Sequence, residues 1–304
     1  MAINCFRPSP LSKLPLPPRI RPLCSASGME TPATGEKSEE ANRANPRKIF
    51  VAGATGNSGK RIVDQLAARG FAVRAGVRDV ERGRNAFSNH QNVQIVRADV
   101  TEGSEKLAEA IGDAEAVVCA TGFRPSLDLF APWKVDNFGT VNLVDACRKV
   151  GVNRFILISS ILVNGAAMGQ ILNPAYIFLN VFGLTLIAKL QAEKYIRKSG
   201  INYTIIRPGG LRNDPPNGNI VMKPEDTLSA GSISRDQVAE VAVEALLYPE
   251  ASYKVVEIVS RADAPKLSFG EICTSPVLCP RRVYSKKSII ISICGKEQKL
   301  RAVS

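Results

Sequence analysis

The sequence predicts an α/β fold, a single Rossmann-type domain with a doubly wound, mainly parallel sheet of about seven strands. Three observations point there. Between residues 47 and 259, short β-branched runs alternate with amphipathic helical ones. The strand runs are apolar throughout instead of at every second position, the mark of strands covered on both faces. The first strand turns into the first helix through VAGATGNSGK, where Gly53, Gly56 and Gly59 stand three apart.

The elements follow in chain order. RKIFVAG (47–53) reads as the first strand and NSGKRIVDQLAARG (57–70) as the first helix. FAVRAGV (71–77), NVQIVRADV (92–100) and AEAVVCATG (114–122) read as strands two to four. WKVDNFGTVNLVDACRKVG (133–151) is a long helix closed by a glycine. NRFILISS (153–160) is the fifth strand, LIAKLQAEKYIRKSG (186–200) a helix, and INYTIIRPGG (201–210) the sixth strand. SRDQVAEVAVEALLY (234–248) is the last long helix and YKVVEIVS (253–260) the seventh strand. The charge-free segment 171–188, ILNPAYIFLNVFGLTLIA, is apolar enough to raise a membrane question, but Asn173, Pro174, Asn180 and Gly183 interrupt it. It reads as a buried helix and pocket wall, with association at a membrane or lipid surface as the alternative.

The ends differ from this body. Residues 1–28 hold scattered Arg and Lys, Ser and Pro, no acid and no continuous apolar core. That composition fits a plastid transit peptide and not a secretory signal, with a mitochondrial leader or a plain disordered tail as alternatives. Residues 29–46 read as a polar linker, 47–265 as the Rossmann domain, and 266–304 as an atypical basic tail, poorly ordered. The formal charge of +12 belongs to these ends: the first 29 residues carry +4 and residues 266–304 carry +6, leaving +2 for the body. No nucleic-acid partner is therefore expected. One histidine, His90, and seven cysteines without a CxxC pair argue against a metal site and against a serine–histidine triad.

The glycine turn carries the chemistry. One glycine permits the sharp turn, another lets the backbone approach a pyrophosphate, and the last lets the helix pack closely on the strand; the phosphates then meet the free N–H groups of the helix start. Gly53, Thr55, Gly56, Asn57, Ser58 and Gly59 are the candidate residues. At the end of strand two, Arg78 is placed to meet a 2′-phosphate, which favours NADP, whereas Asp79 would suit the free ribose of NAD if it took that position.

With GATGNSG, RADV, CATG, ISS and YTIIRPGGL in these positions, residues 47–260 resemble the atypical branch of the short-chain dehydrogenase/reductase superfamily, and within it plant chloroplast NAD(P)-binding proteins of the flavin-reductase-like kind. The NADP-binding domain of a plastid inner-envelope import component is similar. The resemblance implies that Asp99 and Val100 border the adenine, that Ala120, Thr121 and Gly122 line the ribose side, and that Pro208 and Gly209 present backbone to the nicotinamide. It also implies candidate catalytic roles for Ser160, after the fifth strand, and for Lys189, which binds the nicotinamide ribose. The family's usual tyrosine, four residues before the lysine, is Thr185 here. A threonine hydroxyl is a poor general acid at neutral pH. The resemblance, so modified, implies a chloroplast reductase passing hydride from NADPH to a small-molecule acceptor such as a flavin or quinone. A non-catalytic NADP(H)-binding sensor or scaffold is the alternative, and an isomerase or dehydrogenase with a displaced acid is a third.

Overall fold

The computed structural model describes residues 47–122, 128–181 and 183–274. The transit-like start, the linker up to residue 46 and the tail beyond 274 lie outside them. In chain order, β1 (Lys48–Ala52), α1 (Asn57–Ala68), β2 (Ala72–Val77), α2 (Val80–Ala86) and β3 (Val93–Arg97) form the first half-unit. A 3-10 turn (Val100–Glu102), α3 (Ser104–Ile111) and β4 (Ala116–Cys119) follow. A π-helical turn (Trp133–Phe138) runs into α4 (Gly139–Val150), then β5 (Arg154–Ile158). The second half holds α5 (Pro174–Val181), α6 (Thr185–Lys198), β6 (Tyr203–Pro208), β7 (Gly210–Arg212) and β8 (Asn219–Pro224). β9 (Ser232–Ser234), α7 (Arg235–Leu247), β10 (Lys254–Arg261) and α8 (Phe269–Thr274) complete it.

Eight strands make one sheet in the order β3-β2-β1-β4-β5-β6-β10-β8, and all neighbours are parallel except β8 against β10. Strand alternation sorts the apolar side chains into two layers. Ile49 and Val51 of β1 face α1 and α7, where they meet Ile62, Val63 and Val241. Phe50 and Ala52 face the other side, against Leu107 of α3 and Leu143 and Val144 of α4. Chain direction across the sheet reverses between β1 and β4, so their carboxyl ends open a crevice at the topological switch point.

The fold is the expected one, with eight strands where the sequence suggested about seven. The extra strand, β8, lies at the sheet edge antiparallel to β10, outside the strand-then-helix pattern of the parallel strands. α2 and α3 are short helices to which the sequence analysis assigned nothing. Residues 269–274 fall in the stretch read as a poorly ordered tail, yet they form α8, with Ile272 and Cys273 buried against the core.

The reading of 171–188 as a buried helix and pocket wall fails over α5 and holds at the start of α6, where Thr185, Leu186 and Ala188 are buried. No residue of α5 is buried, and Leu172 just before it is 85% exposed. An apolar run states a need for cover and not its direction. Tyr176 turns its ring over Gly165, where a Cβ would collide with it. Among the described residues no single helix is long and apolar enough to cross a membrane.

A charged cluster replaces apolar packing at one place in the core. Arg207, at the end of β6, is 1% exposed. Its Nη2 lies 2.7 Å from Glu193 Oε2 on α6, and its Nη1 lies 2.7 Å from Asp226 Oδ1 and 3.3 Å from Glu257 Oε1 on β10. Glu257 also accepts the backbone N–H groups of Asp226, Thr227 and Leu228. Glu193 and Glu257 are fully buried, so removing the cation strands two carboxylates in the core. Arg207→Met is expected to lower the unfolding free energy by about 3–5 kcal/mol, against about 1 kcal/mol or less for the half-exposed Arg197→Met, both read by urea denaturation.

Candidate functional site

The turn after β1 shows what each glycine is for. Gly53 has φ +74°, a conformation that suits glycine, and a Cβ there would sit 3.0 Å from the Ala120 carbonyl oxygen at the end of β4. A Cβ on Gly59 would lie on top of the Gly53 carbonyl, so α1 can pack this closely only through glycine. Gly56 is freer: its nearest obstacle would be the Gly53 oxygen at 3.1 Å, and its open side faces the crevice. No side chain caps α1. The first N–H groups of a helix have no intrahelical partner, and the helix dipole adds positive potential there.

The crevice is a cleft of about 330 Å³. Gly53, Thr55, Gly56, Arg78, Asp99, Val100, Ala120, Thr121 and Gly122 line it together, as the sequence analysis grouped them. Ala131 and Val135 line it too and were not expected. Asn57, Ser58 and Gly59 open α1 beside the cleft without lining it.

The acids near the ribose end are already engaged. The Asp79 side chain accepts the Arg82 N–H at 3.0 Å and caps α2. Asp99 accepts the Thr101 N–H and hydroxyl, at 3.0 and 2.8 Å, and caps the 3-10 turn. Arg78 is exposed at the cleft and forms no ion pair among the described residues.

Deeper in the molecule lies a small cavity of about 10 Å³, and Thr121 lines both it and the cleft. Asp136, Thr140, Leu157, Ile158, Ser159, Lys189 and Ala192 complete its wall. Lys189 Nζ lies 2.6 Å from Asp136 Oδ1, and the Asp136 side chain is 1% exposed. Burial pulls the Lys189 ammonium down, but the charge and hydrogen bond of Asp136 more than offset it, so the group is held above the usual lysine range. Cys119, beneath them, is pushed up by burial and stays a neutral thiol.

The serine next to Lys189 is Ser159 and not Ser160. Leu157, Ile158 and Ser159 line the cavity at the end of β5, and Ser160, the next residue, does not. The Ser159 hydroxyl donates to Glu193 at 2.6 Å, which ties the site to the Arg207 cluster. Pro208 and Gly209 stand at the end of β6 outside both cavities; the Pro208 carbonyl accepts the Ile161 N–H, and a Cβ on Gly209 would collide with the Gly231 carbonyl.

Among the described residues no tyrosine lines the cavity around Lys189. Thr185, four residues earlier, is buried. Tyr176 packs over Gly165, Tyr195 donates to Asp145 on α4, and Tyr203 stacks edge-on with Tyr253.

Residues 53–249 match the family described as NAD(P)H-binding. The chain belongs to that family. An uncharacterized chloroplastic protein of Arabidopsis thaliana is 72% identical over 79% of this chain and 86% of its own length. Protein TIC 62, chloroplastic, of Pisum sativum is 35% identical over 79% of this chain, which spans about half (48%) of that relative. Among solved structures, the oxidoreductase ylbE of Lactococcus lactis is 29% identical with a TM-score of 0.63, covering 74% of this chain and 94% of the other. A short-chain dehydrogenase/reductase of Veillonella parvula in complex with NADP shares the fold at a TM-score of 0.58 and 19% identity, covering 73% and 99%. The uncapped α1, the bare Gly56 and the unpaired Arg78 all suit the dinucleotide of an NAD(P)H-binding protein. Kinship with proteins named chloroplastic places the chain in the chloroplast, as its transit-like start suggested.

The glycines are separable by experiment. Gly56→Val should leave the thermal midpoint within a few degrees and weaken nucleotide binding about tenfold or more, because its side chain enters the cleft. Gly59→Val should lower the midpoint itself, since its side chain must displace the turn. Thermal unfolding and fluorescence titration of the two variants check both.

Proposed function

We propose that the chain is an NADPH-dependent chloroplast reductase that delivers hydride to a flavin, a quinone or a similar conjugated acceptor. The observation that carries this reading is the pairing of a charged, tyrosine-free cavity at Lys189 with a cleft whose exposed cation is Arg78. Arg78 would hold the 2′-phosphate, and Asp79, held as the cap of α2, does not compete for the ribose. The α1 N-terminus would hold the diphosphate, and Gly53 and Gly56 give it room. Asp99 and Val100 would flank the adenine, with Ala120, Thr121 and Gly122 along the ribose.

NADPH, when bound, supplies the hydride. The Lys189 ammonium would hold the ribose nearest the reacting ring. Reduction of an isolated carbonyl needs an acid at the oxygen, and this site offers neither a tyrosine nor a readily released lysine proton. A conjugated ring system spreads the charge it gains and can take its proton from solvent, so orientation is the main task left to the protein.

A second reading, an NADP(H)-binding sensor or scaffold without turnover, is favoured by the same missing acid and by the likeness to TIC 62. Full-length protein titrated with NADPH and NADH decides between them, followed by flavins and quinones in the same cuvette. The expected result is preference for NADPH and acceptor-dependent oxidation that Lys189→Ala suppresses. Tight binding with no oxidation above the Lys189→Ala baseline would sink the reductase reading and leave the sensor. Arg78→Ala should weaken NADPH by about tenfold to a hundredfold and leave NADH nearly unchanged, the worth of one charged hydrogen-bonding partner.

A further inference from the structure

We infer that Asp136 is a positioning residue of this site: its carboxylate fixes the Lys189 ammonium at the inner end of the nucleotide cleft and keeps it cationic for a ribose hydroxyl. The inference rests on the reading that Lys189 binds the cofactor's ribose.

The geometry begins with the π-helical turn. Trp133–Phe138 is wound more widely than the α4 helix it enters, and such turns re-aim side chains. Here Asp136 and Asn137 point inward and are buried, while Phe138 is exposed. Asp136 meets Lys189 across 53 positions of sequence at 2.6 Å. It also borders the cleft, because a Cβ on Gly122 would stand 3.9 Å from its Oδ1. The pair therefore lies directly behind Thr121 and Gly122, the wall that the ribose side would touch.

The other groups facing Lys189 do not replace Asp136. Glu193, one turn along α6, is engaged by Arg207 at 2.7 Å and by the Ser159 hydroxyl. Cys119 from β4 is a buried neutral thiol. Thr121, Thr140 and Ser159 are uncharged. A lysine left among them without Asp136 feels chiefly burial, which favours the neutral amine.

The sign of the pH effect follows. A raised lysine pKa keeps the ammonium, and the binding it supports, across the neutral range, and both are lost only as pH climbs through that raised value. Without Asp136 the loss moves to lower pH.

The test is a double-mutant cycle on the full chain, with NADPH affinity followed by fluorescence between about pH 6 and about pH 9.5. Wild type should give a flat profile. Asp136→Asn should bind close to wild type at the acid end, then weaken about tenfold or more as pH rises, toward the pH-independent level of Asp136→Asn/Lys189→Met. Asp136→Asn/Lys189→Met has no charge stranded in the cavity, so it keeps the cycle readable even if Asp136→Asn folds poorly. It should bind as Lys189→Met does. A flat Asp136→Asn profile, or a double variant weaker than Lys189→Met, would overturn the role given to Asp136. Lys189→Met binding as tightly as wild type would instead overturn the reading of Lys189 itself, and the inference with it.

Discussion

The functional end of this molecule hangs on one buried cation. Arg207 sits at the carboxyl end of β6, and its guanidinium reaches carboxylates from α6, β10 and the 225–226 turn. The α6 helix is thereby tied to the end of the β6-β10-β8 ladder, where Glu257 pairs with Arg207 on one side and Lys223 on the other. A planar guanidinium with five donors suits the task, since each donor direction can be given its own acceptor. The cluster is also completed by backbone. Asp226 holds φ +61°, unusual for a residue with a side chain, and the three N–H groups of residues 226–228 converge on Glu257. Asn164 donates to Asp226 at 2.8 Å, so the segment after β5 is tied in as well. An ion cluster of this kind adds little to stability over apolar packing, but it tolerates few alternative arrangements. Its yield is orientation: Ser159, bonded to Glu193, and Lys189, one turn before it on α6, inherit their places from Arg207.

The opposite side of the cleft is organised by how its acids are engaged. Asp79 and Asp99 both lie where a carboxylate could repel phosphate, and both are turned into caps of short helical segments. The α1 N-terminus carries no cap of its own. Local hydrogen bonding thus occupies the acids and leaves the donors and Arg78 facing the cleft. The cleft lining holds one exposed cation, Arg78, and one carboxylate, Asp99, whose oxygen is turned to Thr101.

Much of this was legible in the sequence, for definite reasons. Strand-to-helix alternation and a glycine turn are local signals, and the residues at the ends of consecutive parallel strands must converge at a switch point. Gly53 and Arg78 could be placed from the turn and the end of strand two, Asp99 and Thr121 through the family resemblance, and the structure lines one cleft with all four. Asp136 could not be found so. It reaches Lys189 only because a π turn rotates it inward, and nothing in WKVDNFG announces that winding. Ser159 and Ser160 follow the last strand residue, Ile158, where alternation no longer separates adjacent side chains; only the structure shows that Ser159 lines the cavity. α5 misled for a different reason. Its composition is that of a buried helix, and composition carries no information about whether the fold has room beneath it.

The ion pair also bears on what chemistry the cavity can support. A lysine beside a tyrosine serves by lowering the phenol's pKa, and its charge must then be directed at that phenol. Here Thr185 stands at the tyrosine's usual place, and the ammonium points to Asp136 at 2.6 Å. The charge is balanced inside the protein before any ligand arrives. A balanced pair attracts a neutral hydroxyl through its remaining N–H donors without adding net charge beside the reacting ring. On the proposed reading, such a site would suit transfers in which hydride moves to a delocalised acceptor and no protein group must surrender a proton in the same step. With Thr185 in place of a tyrosine and Asp136 beside the ammonium, the lysine would tune no acid, and its donors would be left for binding and orientation.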